Sequence, residues 1–187
     1  MEDVAKFVGL HQTGHQALPP EQLIKKWVAV LGAARRYVSQ LSDEQLQERV
    51  IPNRNRTIRK ACHHIFRIGE AFLETADEGV EFSDGLPSID PPAGAFTTGA
   101  ELAAYGDSVI ARLELWWEGL ADRSCQQQVE TYFGSQPLAV LYERCTWHSA
   151  QHVRQLIAIL ERYNITPNGR LASEDFAGLP LPGRLWE

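Results

Sequence analysis

Two histidines, His148 and His152, stand four residues apart near the end of the chain. They lie in residues 137–163, a run with no proline or glycine inside it, which predicts one long helix. Residues spaced by four lie one above the other on a helix, so both imidazole rings point the same way. Because a buried, unpartnered imidazole is costly, the pair predicts hydrogen bonds, a bound metal or a substrate cavity. Their side of the helix is otherwise apolar, with Leu141, Cys145, Leu156 and Ile159.

A third metal ligand is predicted on another helix, where His63 and His64 are adjacent. A catalytic zinc-type site takes three protein ligands and keeps one position open for water or substrate. Helical phase predicts that His64 faces the protein interior, on the side of Ala61, Ile68 and Ala71. It predicts that His63 faces solvent or a partner, on the side of Arg59, Lys60, Arg67 and Glu70. The expected ligand set is therefore His64, His148 and His152.

Other interpretations of these residues stay open. Six histidines in 187 residues can produce one pair at spacing four without any function. Cys145 lies one turn before His148 and would close the site as a fourth ligand, although a buried apolar neighbour is the favoured interpretation. His11 and His15 are also four apart, but a glycine interrupts their segment, which we expect to be mobile and not to bind metal. Three imidazoles suit zinc, nickel, copper and iron alike.

The pattern of apolar residues predicts the elements that position these side chains. Residues 79–97, rich in glycine and proline, predict a long crossover loop, and the chain after Asn164 predicts an extended tail. Residues 128–133 could form a short extended piece, but no strand pair is predicted. The expected fold is all-α, a four-helix bundle over residues 19–187 that follows an N-terminal extension at residues 1–18. The helices are expected at residues 20–41, 57–77, 98–120 and 137–163.

Composition limits the class of protein. A chain of 187 residues suffices for one domain. Its net charge of −6 argues against nucleic-acid binding, and the basic patch at residues 54–60 is interpreted as a solvated helix face. No apolar run approaches the roughly 20 residues of a membrane span, and the N-terminus lacks the pattern of a signal peptide, so a cytoplasmic protein is expected. The three cysteines show neither disulfide nor zinc-ribbon spacing.

The order and spacing of these features resemble the DinB-like superfamily. The resemblance covers roughly residues 20–185. It is carried by a histidine within residues 58–66, a His-x-x-x-His in the last helix and a terminal segment at residues 175–182. It implies a homodimer and a divalent metal, with His63 as the alternative third ligand. The metal is expected to be zinc or nickel, held by His64, His148 and His152.

The resemblance also implies a range of activities. Relatives include S-transferases that use bacillithiol or related thiols and the mycothiol-dependent maleylpyruvate isomerase. The leading hypothesis is a metal-dependent enzyme acting on a small-molecule substrate, by transfer or isomerisation with a low-molecular-weight thiol, or by hydrolysis. The alternative is a non-catalytic, stress-associated binding or structural dimer in which metal is absent or only stabilising. Catalytic residues stay unassigned, because the helical Glu143 and Glu161 could equally be surface groups.

Overall fold

Four long helices form the body of the protein. The structure is a computed structural model and describes residues 15–52 and 55–186, so most of the predicted N-terminal extension lies outside the described residues. The long helices are α1 (Pro20–Val38), α3 (Ile58–Ala76), α4 (Gly99–Gly119) and α5 (Leu138–Arg162). Shorter ones are α2 (Asp43–Gln47), α6 (Ser173–Phe176) and a 3-10 turn (Leu86–Ser88). The predicted helical bundle is confirmed, and over the described ranges no helix is long and apolar enough to cross a membrane.

The helices begin where the sequence places capping residues. Thr57 precedes α3, and its hydroxyl accepts the backbone N–H of Lys60 at 3.3 Å. Thr98 and Glu101 form a reciprocal capping box at the start of α4. α1 begins at Pro20, where the missing proline N–H removes no helical hydrogen bond. Local chemistry therefore explains why α1, α3 and α4 begin close to their predicted residues.

An aromatic cluster forms the centre of the bundle. Trp27 of α1, Phe72 of α3 and Tyr142 of α5 are fully buried. The ring centroid of Phe72 lies 5.2 Å from that of Trp27 and 5.0 Å from that of Tyr142. It also lies 5.0 Å from the ring of Trp116 in α4. Each long helix contributes one ring, and burial of such a side chain contributes about 1.5–3 kcal/mol to folding.

A two-stranded antiparallel hairpin precedes α5, where the sequence predicts no strand pair. Strand β1 (Gln128–Thr131) pairs with β2 (Gly134–Pro137). Phe82, in the crossover loop, bonds to this hairpin: its N–H donates to Glu130 O at 2.9 Å, and its carbonyl accepts from Tyr132 N–H at 3.1 Å. The prediction missed the hairpin because four-residue strands carry little alternation, and their partner in the loop is distant in sequence.

Two shorter differences concern α2 and the tail. α1 ends at Val38, before its predicted end at residue 41, and Ser42 caps α2 through a capping box. The tail after Asn164, predicted to be extended, is mostly irregular and contains α6. Tyr37 holds the tail against α1, because its hydroxyl accepts the backbone N–H of Leu171 at 3.0 Å.

The cysteines are free, as their spacing predicts, and all three are buried. Burial raises the pKa of Cys62 and of Cys145 to about 12, and that of Cys125 to about 11. All three are therefore neutral thiols at pH 7 and pack as small apolar side chains.

His63 is buried, whereas helical phase predicts that it faces solvent or a partner. Only 5% of the residue is exposed. Its ring stacks on Tyr105 of α4 at a centroid distance of 5.2 Å, and it lies 5.1 Å from the ring of Phe96 in the crossover loop. Burial lowers its pKa to about 4, although the Glu70 carboxylate opposes this shift. The prediction was wrong because helical phase predicts the direction of a side chain but not which distant segment packs over it.

Gly106 of α4 packs against Phe66 of α3 with no room for a side chain. A Cβ at residue 106 would lie 2.6 Å from Phe66 Cε1, and that ring is fully buried. We expect Gly106→Ala to lower the free energy of unfolding, measured in urea, by about 1–3 kcal/mol, because overpacking outweighs the gain in helix propensity. Gly119→Ala, at the open end of the same helix, is the control and should be neutral or stabilising. Equal stability of the two variants would contradict this packing.

The buried His63 should make the stability of the metal-free protein depend on pH. Its pKa is about 4 in the folded chain and returns to about 6.5 on unfolding. Between these values the unfolded chain binds a proton that the folded chain does not, so the free energy of unfolding decreases as the pH is lowered through this range. The free energy of unfolding is measured in urea with a chelator present, at neutral pH and at a pH near the folded-state pKa of His63. It should decrease less between these two pH values for His63→Gln than for the wild type. An identical loss would show that His63 does not titrate in this way.

Candidate metal centre

Three imidazole rings from two helices meet in the bundle: His64 of α3, and His148 and His152 of α5. The centroid of the His64 ring lies 5.4 Å from that of His148 and 4.7 Å from that of His152. The two rings of α5 are 4.9 Å apart. One nitrogen of each ring lies within 4.8 Å of the other two, and among the described residues no cysteine, aspartate or glutamate joins this group. The structure thus brings the three predicted ligands together, while the metal itself stays a prediction.

A buried hydrogen-bond bridge holds the two helices in register beside the rings. Ser149, which follows His148, accepts the indole N–H of Trp27 at 3.0 Å. Its hydroxyl donates to the carbonyl of Ile65, which follows His64, at 3.4 Å. The bridge joins the residues next to two of the expected ligands, so it sets the distance between α3 and α5 at the level of the site.

His64 is oriented by the crossover loop. Its Nδ1 lies 2.7 Å from the carbonyl oxygen of Pro87, in the 3-10 turn. A carbonyl only accepts hydrogen bonds, so Nδ1 carries the ring proton and Nε2 keeps its lone pair. Metal-binding histidines typically use this arrangement, in which the second ring nitrogen donates to a carbonyl or carboxylate.

The two rings of α5 are oriented differently. Nδ1 of His152 lies 2.8 Å from Oε1 of Gln155, an acceptor, which leaves the lone pair of Nε2 for a metal. Nδ1 of His148 lies 3.5 Å from Nη1 of Arg144, a contact too long to fix which nitrogen of the ring carries the proton. Arg144 bonds more closely to the hydroxyl of Tyr132, at 2.9 Å. His148 is therefore the least strongly oriented of the three rings.

Burial keeps two of the rings neutral. It holds the pKa of His64 and that of His148 well below the ordinary value of 6.5, and the neighbouring His152 lowers both further. The guanidinium of Arg56 acts in the same direction on both. Neutral imidazole is the form that binds a metal ion, so His64 and His148 need not lose a proton before binding one at pH 7.

A cavity of about 250 Å³ opens beside the three rings. Its wall also includes Arg56, Ser88 and Trp147, and within the described ranges it contains no carboxylate. A small molecule can therefore reach the rings. Structural zinc sites are normally closed by a fourth protein ligand, so the open cavity favours a site at which a substrate binds.

The structure bears on several interpretations made from the sequence. Cys145 is fully buried outside the histidine group, in agreement with the favoured interpretation as an apolar neighbour. Arg56, interpreted as part of a solvated patch, is half-buried at the cavity. Glu143, whose role the sequence left open, is 3% exposed, and its carboxylate lies 3.0 Å from Nε2 of His15. His15 therefore contacts α5, whereas the rest of the segment predicted to be mobile, with His11, lies outside the described residues.

Two groups that orient the rings were not recognised in the sequence. The carbonyl of Pro87 reaches His64 from 23 residues away, and a backbone carbonyl leaves no signal in a sequence. Gln155 does leave one, because a carboxamide three residues after His152 lies on the same side of the helix.

Comparisons with known proteins agree with the bundle fold. No curated protein matches the chain significantly. A DinB-like protein from Bacillus cereus ATCC 10987 is similar in structure, with a TM-score of 0.61 and 16% identity over 80% of this chain and 95% of that one. YfiT from Bacillus subtilis, described as a probable metal-dependent hydrolase with an unusual four-helix bundle topology, has a TM-score of 0.54 and 16% identity over 83% and 95%. The family model of the DinB superfamily matches residues 6–156, and the chain therefore belongs to this superfamily.

Proposed function

We propose that the chain is a metal-dependent enzyme in which His64, His148 and His152 hold one divalent ion, zinc or nickel. The observation that carries this proposal is the meeting of three imidazoles at an open cavity, two of them kept neutral by burial. Nitrogen donors of this kind suit both metals. The description of YfiT as a probable metal-dependent hydrolase supports the same class of chemistry.

A divalent ion held by His64, His148 and His152 would supply a nucleophile at neutral pH, because it would lower the pKa of a water or thiol bound to it. The described residues around the cavity include no carboxylate to act as general base. Thiol transfer requires fewer proton-transferring residues than hydrolysis, because hydrolysis also needs a group that delivers a proton to the leaving group. We therefore place thiol transfer to an electrophile, or thiol-assisted isomerisation, before hydrolysis.

Residues around the cavity would bind and orient the substrate. Arg56 brings a positive charge, which suits a substrate with an anionic group. Ser88 offers a hydrogen bond, and Trp147 offers an apolar surface. A volume of about 250 Å³ suits a small molecule, such as a low-molecular-weight thiol with its acceptor.

The alternative is a stress-associated binding or structural dimer in which the ion only stabilises the bundle. The open cavity favours the enzyme over this alternative, because a purely structural ion is normally enclosed by four protein ligands. A homodimer, a cytoplasmic location and the lack of a nucleic-acid partner stay predictions that depend on the resemblance and on composition.

Metal content tests the proposed site directly. Protein purified without a histidine tag, then reconstituted with zinc or nickel, should carry about one ion per chain by mass spectrometry. His64→Gln should retain less than about a tenth of this metal, because it removes a ligand. His63→Gln is the matched control at the neighbouring position, and it should keep the metal because that ring stacks on Tyr105.

Circular dichroism should show that both variants keep their helices. Metal loss in His63→Gln with retention in His64→Gln would assign the third ligand to His63. A wild-type protein that binds neither metal after reconstitution would overturn the proposed site.

Thiol consumption separates the enzyme from the alternative. With an activated aryl halide and a panel of low-molecular-weight thiols, the metal-loaded protein should consume thiol at least about 100-fold faster than chelator-treated protein or His148→Gln. Activated esters should be hydrolysed more slowly than thiol is consumed. Faster ester hydrolysis would reverse the order of the two reactions, and a metal-loaded protein that accelerates neither would favour the binding or structural role.

A further inference from the structure

We propose that residues 182–186, here called the tail strap, position His152 for metal binding by fixing the side-chain amide of Gln155. The inference depends on the proposed metal site and adds to it a positioning residue and the segment that controls it. The tail strap also lies beyond residue 156, where the match to the family model ends.

Side chains of α5 hold the backbone of the tail strap. Nε2 of Gln151 donates to the carbonyls of Arg184 and Leu185, at 3.1 and 2.8 Å. Nε2 of Gln155 donates to the same Leu185 carbonyl at 2.9 Å. Nη1 of Arg154 donates to the carbonyl of Pro182 at 3.0 Å. The tail strap is thus fastened along the helix that carries His148 and His152.

The last described residue of the tail strap packs beside the site. Trp186 is half-buried and lines a small void together with Cys62, Ile65 and His152. At the other end of the tail strap, Pro182 lines the open cavity. The tail strap therefore lies against the His152 side of the three rings.

The Leu185 carbonyl decides which way the Gln155 amide faces. A primary amide has one donating end and one accepting end, whereas a carbonyl only accepts. Nε2 of Gln155 must therefore face Leu185, which turns Oε1 toward Nδ1 of His152 at 2.8 Å. Because Oε1 only accepts, Nδ1 carries the ring proton, and Nε2 of His152 keeps the lone pair that a metal needs.

His64 does not need such control. Its acceptor is the carbonyl of Pro87, whose orientation is set by the backbone. The acceptor of His152 is the end of a side-chain amide, and rotating that amide by half a turn would present an N–H to Nδ1. The ring proton would then move to Nε2 and block it as a ligand. The tail strap prevents this rotation.

Three full-length variants test whether the amide orientation matters. Gln155→Leu removes the acceptor and should weaken zinc affinity about 10–100-fold, measured by competition with a chromogenic chelator. Gln155→Glu keeps an acceptor toward His152 and should stay within about threefold of the wild type. A combined Gln151→Leu and Trp186→Ala change, which releases the tail strap, should weaken affinity at least about fivefold when residue 155 is glutamine.

In the Gln155→Glu background, the same combined change should alter zinc affinity by less than about twofold. A carboxylate has two accepting ends, so it needs no tail strap to face His152 correctly. An equal effect in both backgrounds would show that the tail strap acts on folding or access and not through the amide. Circular dichroism and thermal unfolding check that each variant is folded.

Nitrogen NMR of isotope-labelled, metal-free protein gives a readout that needs no ion. His152 should carry its proton on Nδ1 in the wild type and should shift toward the Nε2 tautomer in Gln155→Leu. A wild-type His152 protonated on Nε2 would overturn the inference. Failure of the wild type to bind metal would overturn the proposed function, whereas normal metal binding by Gln155→Leu would overturn only this inference.

Discussion

A neutral imidazole can donate a hydrogen bond from only one of its two nitrogens, and this limit governs the whole site. In a half-buried space, each donating nitrogen needs an acceptor, and each accepting nitrogen needs a donor or a cation. The bundle supplies the acceptors: a loop carbonyl for His64 and a carboxamide oxygen for His152. The opposite nitrogens of these rings keep their lone pairs, which a metal ion can satisfy together. Hydrogen bonds to residues outside the three histidines therefore determine which ring nitrogens are able to bind a metal.

The same contacts that stabilise the bundle also set the geometry of the site. The bridge from Trp27 through Ser149 to the carbonyl of Ile65 touches the residues that follow His148 and His64. Trp27 belongs at the same time to the aromatic centre with Phe72 and Tyr142. Because ligands need to be held within a fraction of an ångström, a site on helices locked by a packed core is more precise than one on loops.

Charge distinguishes the cavity from the rest of the protein. The chain as a whole carries a net charge of −6, yet the described wall of the cavity contains Arg56 and no carboxylate. Neutral imidazoles would leave the charge of a bound ion uncompensated, and the guanidinium adds to it. A local field of this sign attracts anionic groups such as thiolates and carboxylates and disfavours cationic ones. In the proposed enzyme, the electrostatics of the site would therefore favour anionic substrates.

Sequence alone determined the four helices and the inward direction of His64, His148 and His152, because helical period and capping act between residues a few positions apart. It did not determine which residues each of these side chains contacts. The burial of His63 under Tyr105, the acceptor that Pro87 offers to His64, and the hold of Leu185 on Gln155 all join segments distant in the chain. Only the tertiary structure decided these contacts, since they depend on how the crossover loop and the tail pack on the helices. Local periodicity sets which way a side chain points, and packing between distant segments decides whether it is covered, oriented or left open to a substrate.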